Sequence, residues 1–234
     1  WPSLGARARV RTPDPGLSRP SGAGNLRSIH SGNPPIVANV FSLSEPALAI
    51  RDDGLAAGAR TLLYIHDDPA KPLGQGMEMM ATQWDGLDWG TPVTLTNDLH
   101  LDFTPQVVYD GGGNAVALWE RSYTSAITEG LTTAFMQSLD IGAATWVSAT
   151  QSWSAVLMLT EDDGRADFAP RLRSAADGTV MALWETTDGH DMLGSSEHPM
   201  SYTTALWDGA AWSTPVAALT GLTNTLGMDV ALYA

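Results

Sequence analysis

An internal repeat constrains the fold of this 234-residue chain more than any other feature of its sequence. Residues 102–120 and residues 167–185 share one pattern: Asp-Phe-x-Pro, a short apolar stretch, an Asp/Gly-rich turn, and Ala-Leu-Trp-Glu. The two copies lie 65 residues apart, and a weaker copy begins at Ser44, with its proline 59 residues before Pro105. A unit of this length that recurs is typical of one structural module that packs beside its copies.

A second motif marks the end of each unit. Trp-Asp-Gly, followed after two residues by a second Trp and then by Thr-Pro-Val, occurs at residues 84–93 and 207–216. These copies are 123 residues apart, which is close to two units, and the middle unit carries a degenerate version that we place between Leu139 and Trp146. The Asp-Gly and Gly-rich pairs between the apolar stretches are typical of tight hairpin turns.

Each unit therefore has room for four short strands. The first is expected near 46–50, 105–109 and 170–174, the second near 60–66, 115–121 and 179–185, the third near 77–84, 132–139 and 201–207, and the last near 91–96, 155–160 and 214–219. The second strands are almost continuously apolar, which indicates that both of their faces are covered. We expect Trp119 and Trp184, at equivalent ends of these strands, to pack between neighbouring units.

A four-stranded antiparallel unit that is repeated around an axis is a β-propeller blade. The sequence predicts an all-β chain whose region 35–234 holds about three blades, near 41–98, 99–163 and 164–222, with partial blades at both ends. Segments 35–40 and 226–233 would supply the flanking strands. Because closed propellers have four to eight blades, we expect a larger ring, or another chain that completes the assembly.

Charge and composition exclude several classes of protein. The net charge of −14 argues against a nucleic-acid partner, which would require a basic stripe. The chain has no cysteine, so disulfides and thiolate metal sites are impossible. No apolar run approaches the length of about 20 residues that a membrane span needs. Residues 1–34 are rich in Pro, Gly and Arg and lack apolar periodicity, and we interpret them as an N-terminal arm.

Residues 35–234 resemble the repeats of secreted bacterial propellers of the sialidase type, the bacterial neuraminidase repeat. The resemblance lies in the order Pro, apolar strand, Asp/Gly turn, Ala-Leu-Trp-Glu, and Trp-Asp-Gly-x-x-Trp-x-x-Pro. The Asp-box of that family, Ser-x-Asp-x-Gly-x-x-Trp, is not reproduced, because Ser174 lies one residue too far from Asp177. Propeller lectins share a similar Trp-Asp-Gly turn, and this resemblance implies glycan binding. The candidate stacking residues are Trp84, Trp89, Trp207 and Trp212. The alternative is that these rings pack at the blade edge.

Two sets of charged residues could act on a ligand. Glu120 and Glu185 follow the repeated tryptophan and are weak candidates for the paired carboxylates of glycoside cleavage. A structural repeat explains them equally well without chemistry, and we favour that interpretation. Arg171 and Arg173 alternate on a first strand, which in propellers lines the central channel, so we expect both on one face as ligand-binding residues. The alternative is that they pair with a nearby aspartate.

An acidic loop is a candidate calcium site. Residues 161–167 concentrate four carboxylates, and oxygen ligands at this density suit Ca²⁺, with Asp162, Asp163 and Asp167 as the candidate ligands. A solvated acidic turn is the alternative. The five histidines show no metal-binding motif, although His190 and His198 share one loop and could pair.

These observations predict a non-catalytic extracellular propeller that binds or scaffolds, by glycan recognition, surface adhesion or assembly with another chain. The competing hypothesis is a portion of a secreted sialidase-like glycoside hydrolase. Placement outside the cell or on its surface is expected because the chain has no cysteine, a single lysine and high acidity, and because of the style of its repeat.

Overall fold

The described part of the chain folds into three antiparallel sheets that follow one another along the sequence. The computed structural model describes residues 36–51, 58–71, 76–124, 132–225 and 227, so the arm predicted for residues 1–34 lies outside the described residues. Each sheet is built from strands that are consecutive in the sequence and pair with their neighbours. This is the blade arrangement that the repeat predicts, and the sheets do not close a ring within the described residues.

The strands of the three blades have the following bounds. The first blade contains β1 (Ala47–Ile50), β2 (Arg60–Asp67), β3 (Met77–Trp84) and β4 (Val93–Thr94). The second contains β5 (Leu101–Tyr109), β6 (Ala115–Ser122), the short helix α1 (Thr133–Met136), β7 (Leu139–Val147), β8 (Ser152–Trp153) and β9 (Leu157–Met158). The third contains β10 (Ala166–Ser174), β11 (Val180–Thr187), β12 (Met200–Trp207) and β13 (Val216–Leu222). In the second blade, β8 and β9 both pair with β7 and together form the outer edge.

The third strand of the middle unit was predicted at the wrong place. Residues 132–139 do not form that strand: α1 occupies half of this segment, and the strand is β7, which begins at Leu139. The Thr132 hydroxyl accepts a hydrogen bond from the Phe135 amide and so caps the helix, while Phe135 and Met136 enter the core. Apolar residues alone could not distinguish this buried helical turn from a strand.

The sequence also predicts a flanking strand at each end of the repeat region, at residues 35–40 and 226–233. Of the segment 35–40, only Val40 makes a bridge in the described residues, and its partner is His66 of β2. The Phe41 amide donates to the Ile65 carbonyl at 2.8 Å, so Val40 and Phe41 pair with β2 of the first blade. A partial blade at this end of the repeat region stays a prediction. The segment 226–233 lies outside the described residues apart from Gly227.

Buried apolar clusters hold the blades together. One cluster joins β2 and β3 of the first blade to β5, β6 and β7 of the second, and it contains Trp119. Another joins the opposite face of the second blade to the third, and it contains Trp184. Both indole rings are completely buried, as expected for residues packed between blades. The one described helix spans four residues, and no helix within the described ranges has the length and apolarity to cross a membrane.

Each of these tryptophans is oriented by a buried aspartate. Trp119 Nε1 donates to Asp102 at 2.8 Å, and Trp184 Nε1 donates to Asp167 at 2.9 Å. Asp167 also accepts from the Thr186 hydroxyl at 2.5 Å. The first blade has Tyr64 in place of the tryptophan, so the pair is a feature of the second and third blades.

We expect Asp167→Ala to lower the free energy of unfolding by about 2–4 kcal/mol, because it leaves the buried indole N–H of Trp184 and the Thr186 hydroxyl without their acceptor. The exposed Asp162 in the same acidic loop provides a matched control, and Asp162→Ala should change stability by less than about 0.5 kcal/mol. Urea unfolding of both variants measures the difference. Equal effects of the two substitutions would show that the indole bond is not a major source of stability.

Candidate functional site

A cavity of about 950 Å³ lies among the first strands of the three blades. Its polar lining comes from Ser44, Glu45, Thr104, Gln106, Glu120, Arg171 and Arg173. Its apolar lining includes Phe103, Phe135, Phe168, Met136 and Met192. The structure thus brings Glu120 together with both arginines that the sequence predicts to face the channel. The phenylalanines were not predicted as site residues, since a lone Phe in a strand pattern is typical of core.

The same backbone irregularity occurs in two of the strands that line this cavity. The pairing of β5 with β6 shifts between Phe103 and Gln106, and that of β10 with β11 shifts at the equivalent place. Thr104 and Ala169, the residues before the repeated prolines, have positive φ values of 48° and 52°. Such conformations are costly for residues other than glycine and persist only where surrounding contacts enforce them.

Glu120 supplies one of these contacts. Its carboxylate accepts a hydrogen bond from the Ala169 amide at 2.6 Å, so a side chain of the second blade holds the irregular strand of the third. Glu185 occupies the equivalent position in the third blade, and a Cβ added at Gly227 would lie 3.9 Å from its carboxylate. Glu120 therefore has a structural function in joining two blades.

The electrostatic environment of the two glutamates is unusual. Burial raises the pKa of Glu120 and of Glu185, and the positive charge of Arg171 lowers both values. Repulsion from Glu185 raises the pKa of Glu120 further, so the two carboxylates and Arg171 form one interacting group. The Arg171 guanidinium also donates to the Pro170 carbonyl at 3.0 Å, which holds it beside the irregular strand. The hydroxyl of Tyr202 lies beside Glu185 and lowers its pKa, but it forms no hydrogen bond of ordinary geometry within the described residues.

The predicted stacking tryptophans lie in pairs at the turns between the third and last strands. Trp84 packs on Trp89 and Trp207 on Trp212, each with ring centroids 5.8 Å apart. Trp207 is buried and its Nε1 donates to Asp110 of the neighbouring blade at 3.0 Å, while the other three rings are partly buried. Their binding of glycans stays a prediction.

The second blade has an equivalent tryptophan pair, but the motif lies at a different place from the one predicted, between Leu139 and Trp146. Trp146 lies opposite Trp153, with ring centroids 6.0 Å apart. Ala115 lies opposite Trp146 just as Arg60 lies opposite Trp84. This turn is two residues longer than the other two, so the five-residue spacing of the motif does not occur in it.

The three predicted calcium ligands lie in different environments. Asp162 and Asp163 are exposed, whereas Asp167 is buried and bonded to Trp184 and Thr186. A fourth carboxylate, Asp140, lies near these three aspartates and was not predicted as a site residue. Burial raises the pKa of Asp140, and repulsion from each of the three aspartates raises it further. Asp140 is completely buried, and its Oδ2 has no hydrogen-bond partner among the described residues. Calcium binding by this loop stays a prediction.

Comparison with known proteins agrees with the blade architecture. No family model and no curated protein matches the sequence. Among solved structures, the chain is similar to the Hadza microbial sialidase Hz136, with a TM-score of 0.54 and 13% identity over 76% of this chain and 38% of that one. It is also similar to an α-L-arabinanase of Penicillium chrysogenum complexed with arabinobiose, with a TM-score of 0.47 and 11% identity over 79% of this chain and 54% of that one. The chain thus spans less than two thirds of the length of either protein, and its likeness to the sialidase, at 13% identity, is one of fold.

The stability of the protein should depend on pH through Asp140. Burial, followed by repulsion from neighbouring carboxylates, raises its pKa from 3.8 to about 6. The folded state therefore holds this proton more tightly than the unfolded state. The resulting contribution of Asp140 to the stability of the folded state is fully present below about pH 4 and is lost as the pH rises through 6. We expect Asp140→Asn to be about 1–3 kcal/mol more stable than wild type at pH 8. The difference should vanish near pH 4.

Urea unfolding at a series of pH values measures this effect. Asp88→Asn removes a carboxylate at an exposed position outside this cluster and serves as the control for the loss of a surface charge. A stability difference for Asp140→Asn that is the same at pH 4 and pH 8 would contradict the raised pKa.

Proposed function

We propose that the cavity among β1, β5 and β10 binds a glycan and that the chain functions as a glycan-binding propeller module. The observation that carries this proposal is the composition of the cavity wall, which sets Arg171, Arg173 and Glu120 among aromatic rings. Ligand sites generally combine apolar walls with a small number of placed polar groups.

Sugars suit such a wall because their rings have apolar faces and their edges carry hydroxyl groups. Phe103 and Phe168 offer aromatic surface, while the carboxylate and the guanidinium groups offer hydrogen bonds that are stronger than those between neutral groups. A guanidinium group also pairs with a carboxylate in bidentate geometry, which favours an acidic sugar. The likeness in fold to a sialidase supports a ligand of this class.

The tryptophan turns are a less favourable site than the cavity. The Trp-Asp-Gly residues have structural functions: the rings pack in pairs, and the Asp85 and Asp208 carboxylates each accept two amide hydrogen bonds within their own turn. The glycines that follow them, Gly86 and Gly209, have φ values of 108° and 98°, which L-residues rarely adopt. The motif is thus explained by the turn itself.

Glycan binding is tested by screening the full chain on a glycan array and by calorimetric titration of the best ligand, with a sialylated and an unsialylated trisaccharide as a matched pair. Arg171→Ala should weaken binding by at least about tenfold, because a charge-assisted hydrogen bond is lost. Arg165→Ala removes an exposed arginine outside the cavity lining and should leave the affinity unchanged.

Trp212→Ala separates the cavity from the turns. We expect this variant to bind as wild type does. Loss of binding in Trp212→Ala with full binding in Arg171→Ala would move the glycan site to the turn and overturn the proposal for the cavity.

Glycoside hydrolysis is a second candidate function, and one observation favours it. The pKa values of Glu120 and Glu185 are both raised by burial, beside a shared arginine. A carboxyl group with a raised pKa can donate a proton to a leaving oxygen at near-neutral pH, while a second carboxylate acts on the sugar or on water. Glu185 is the better candidate for the acid because Glu120 is engaged with the Ala169 amide.

If the chain hydrolyses glycosides, it should release the dye from a chromogenic glycoside, and Glu185→Gln should reduce this rate at least about 100-fold. Activity should decline as the pH rises through the raised pKa of Glu185, because the acid must be protonated. Asp162→Asn serves as a control at a remote exposed carboxylate. Binding without turnover across neutral and acidic glycosides would reject hydrolysis and leave the binding function intact.

A further inference from the structure

We propose that Asp188, His190 and His198 form a binding site for a divalent transition metal of the zinc class. All three residues belong to the loop that joins β11 to β12 in the third blade. One ligand atom from each residue lies within 4.8 Å of the others. This site is separate from the proposed glycan function and does not depend on it.

One carboxylate lies beside the Nδ1 atoms of two imidazoles. His198 Nδ1 lies 2.6 Å from Asp188 Oδ2, and His190 Nδ1 lies 3.4 Å from Asp188 Oδ1. The two rings are stacked, with centroids 4.8 Å apart and planes inclined by 16°. Neighbouring ligand atoms in a tetrahedral zinc site with bonds of about 2.0–2.1 Å are roughly 3.4 Å apart. The three ligand atoms here, all within 4.8 Å of one another, are spaced in the same range.

The donor set selects the class of metal. Two imidazole nitrogens and one carboxylate oxygen suit zinc and its neighbours in the first transition series, whereas calcium prefers a shell made wholly of oxygen. The side chains are partly open to solvent, with exposed fractions of 47% for Asp188, 51% for His190 and 36% for His198. An ion can therefore enter, and water can complete its coordination.

Hydrogen bonds and close packing fix the loop backbone at Asp188 and at His198. The Asp188 carbonyl accepts a hydrogen bond from Gln137 Nε2 at 2.7 Å, which anchors it to the turn after α1. The His198 amide donates to the Ser195 hydroxyl at 3.1 Å, and the Ser195 amide donates to the His198 carbonyl at 2.9 Å. Gly189 packs so closely on the second blade that an added Cβ would lie 2.7 Å from Gln137 Cγ. Supporting contacts of this kind hold metal ligands in position.

A bound ion would also affect the neighbouring cavity. Met192 lies in the loop between the two histidines and forms part of the cavity wall. Metal coordination on both sides of this residue would fix one wall of the cavity in place.

The experiment uses the full chain after removal of metals with a chelator, followed by titration with zinc chloride in a calorimeter and by thermal unfolding with and without zinc. We expect one zinc ion per chain and a higher melting temperature. His190→Ala and His198→Ala should each weaken zinc binding by about tenfold or more, since each removes a ligand. His66→Gln changes a histidine outside the site and should bind as wild type does.

Two results would overturn the proposal. One is a zinc affinity that is the same in the His190→Ala/His198→Ala double variant and in wild type, which would place any bound zinc elsewhere. The other is binding of calcium as tightly as zinc. Circular dichroism of each variant confirms that folding is retained, as expected for substitutions of partly exposed side chains.

Discussion

The hydrogen bond between a buried indole and a buried aspartate is the interaction on which the packing of the blades depends. Trp119 with Asp102, and Trp184 with Asp167, repeat this bond in successive blades. Burial of the carboxylates is costly: it raises the pKa of Asp167, and it raises that of Asp102 to about 7. The bond offsets part of this cost and fixes the orientation of a ring that fills the space between two blades. The sheets are therefore joined by large rings held at a defined angle, with smaller apolar side chains around them.

A second network links this packing to the cavity. Glu120 bonds to the Ala169 amide of the next blade, and Ala169 lies in the irregular segment that also places Arg171 in the cavity wall. The groups that join two blades are thus next to the groups that would contact a ligand. The cavity and the blade interface are parts of one structure, and a change in the angle between the second and third blades would move both.

The blades could be predicted from the sequence because a period of about 60 residues, with the proline and the Trp-Glu pair in fixed order, admits few folds. The third strand of the middle unit could not, because its turn from Trp146 to Trp153 is longer than in the flanking units and α1 stands where a strand was expected. The pairing of His190 with His198 could be predicted because they share one loop, and their rings are stacked, but the position of Asp188 beside them could not. Their spacing in a loop matches no metal motif, and only the conformation of the chain brings the ligand atoms together.

The strict and the variable positions of the repeat have different functions. Glu120 and Glu185 recur at equivalent places, and Glu120 bonds to the backbone of a neighbouring blade, which is what a repeated structural residue should do. Arg171 is different: the equivalent positions in the first and second blades hold Ala47 and Gln106, so a cation enters the cavity wall at this position from the third blade alone. Packing between identical modules does not require such a departure from the repeat, whereas an asymmetric ligand does. The variable arginine is thus the feature of the cavity wall that the repeat itself does not account for, and it lies beside the two repeated carboxylates whose charges it offsets.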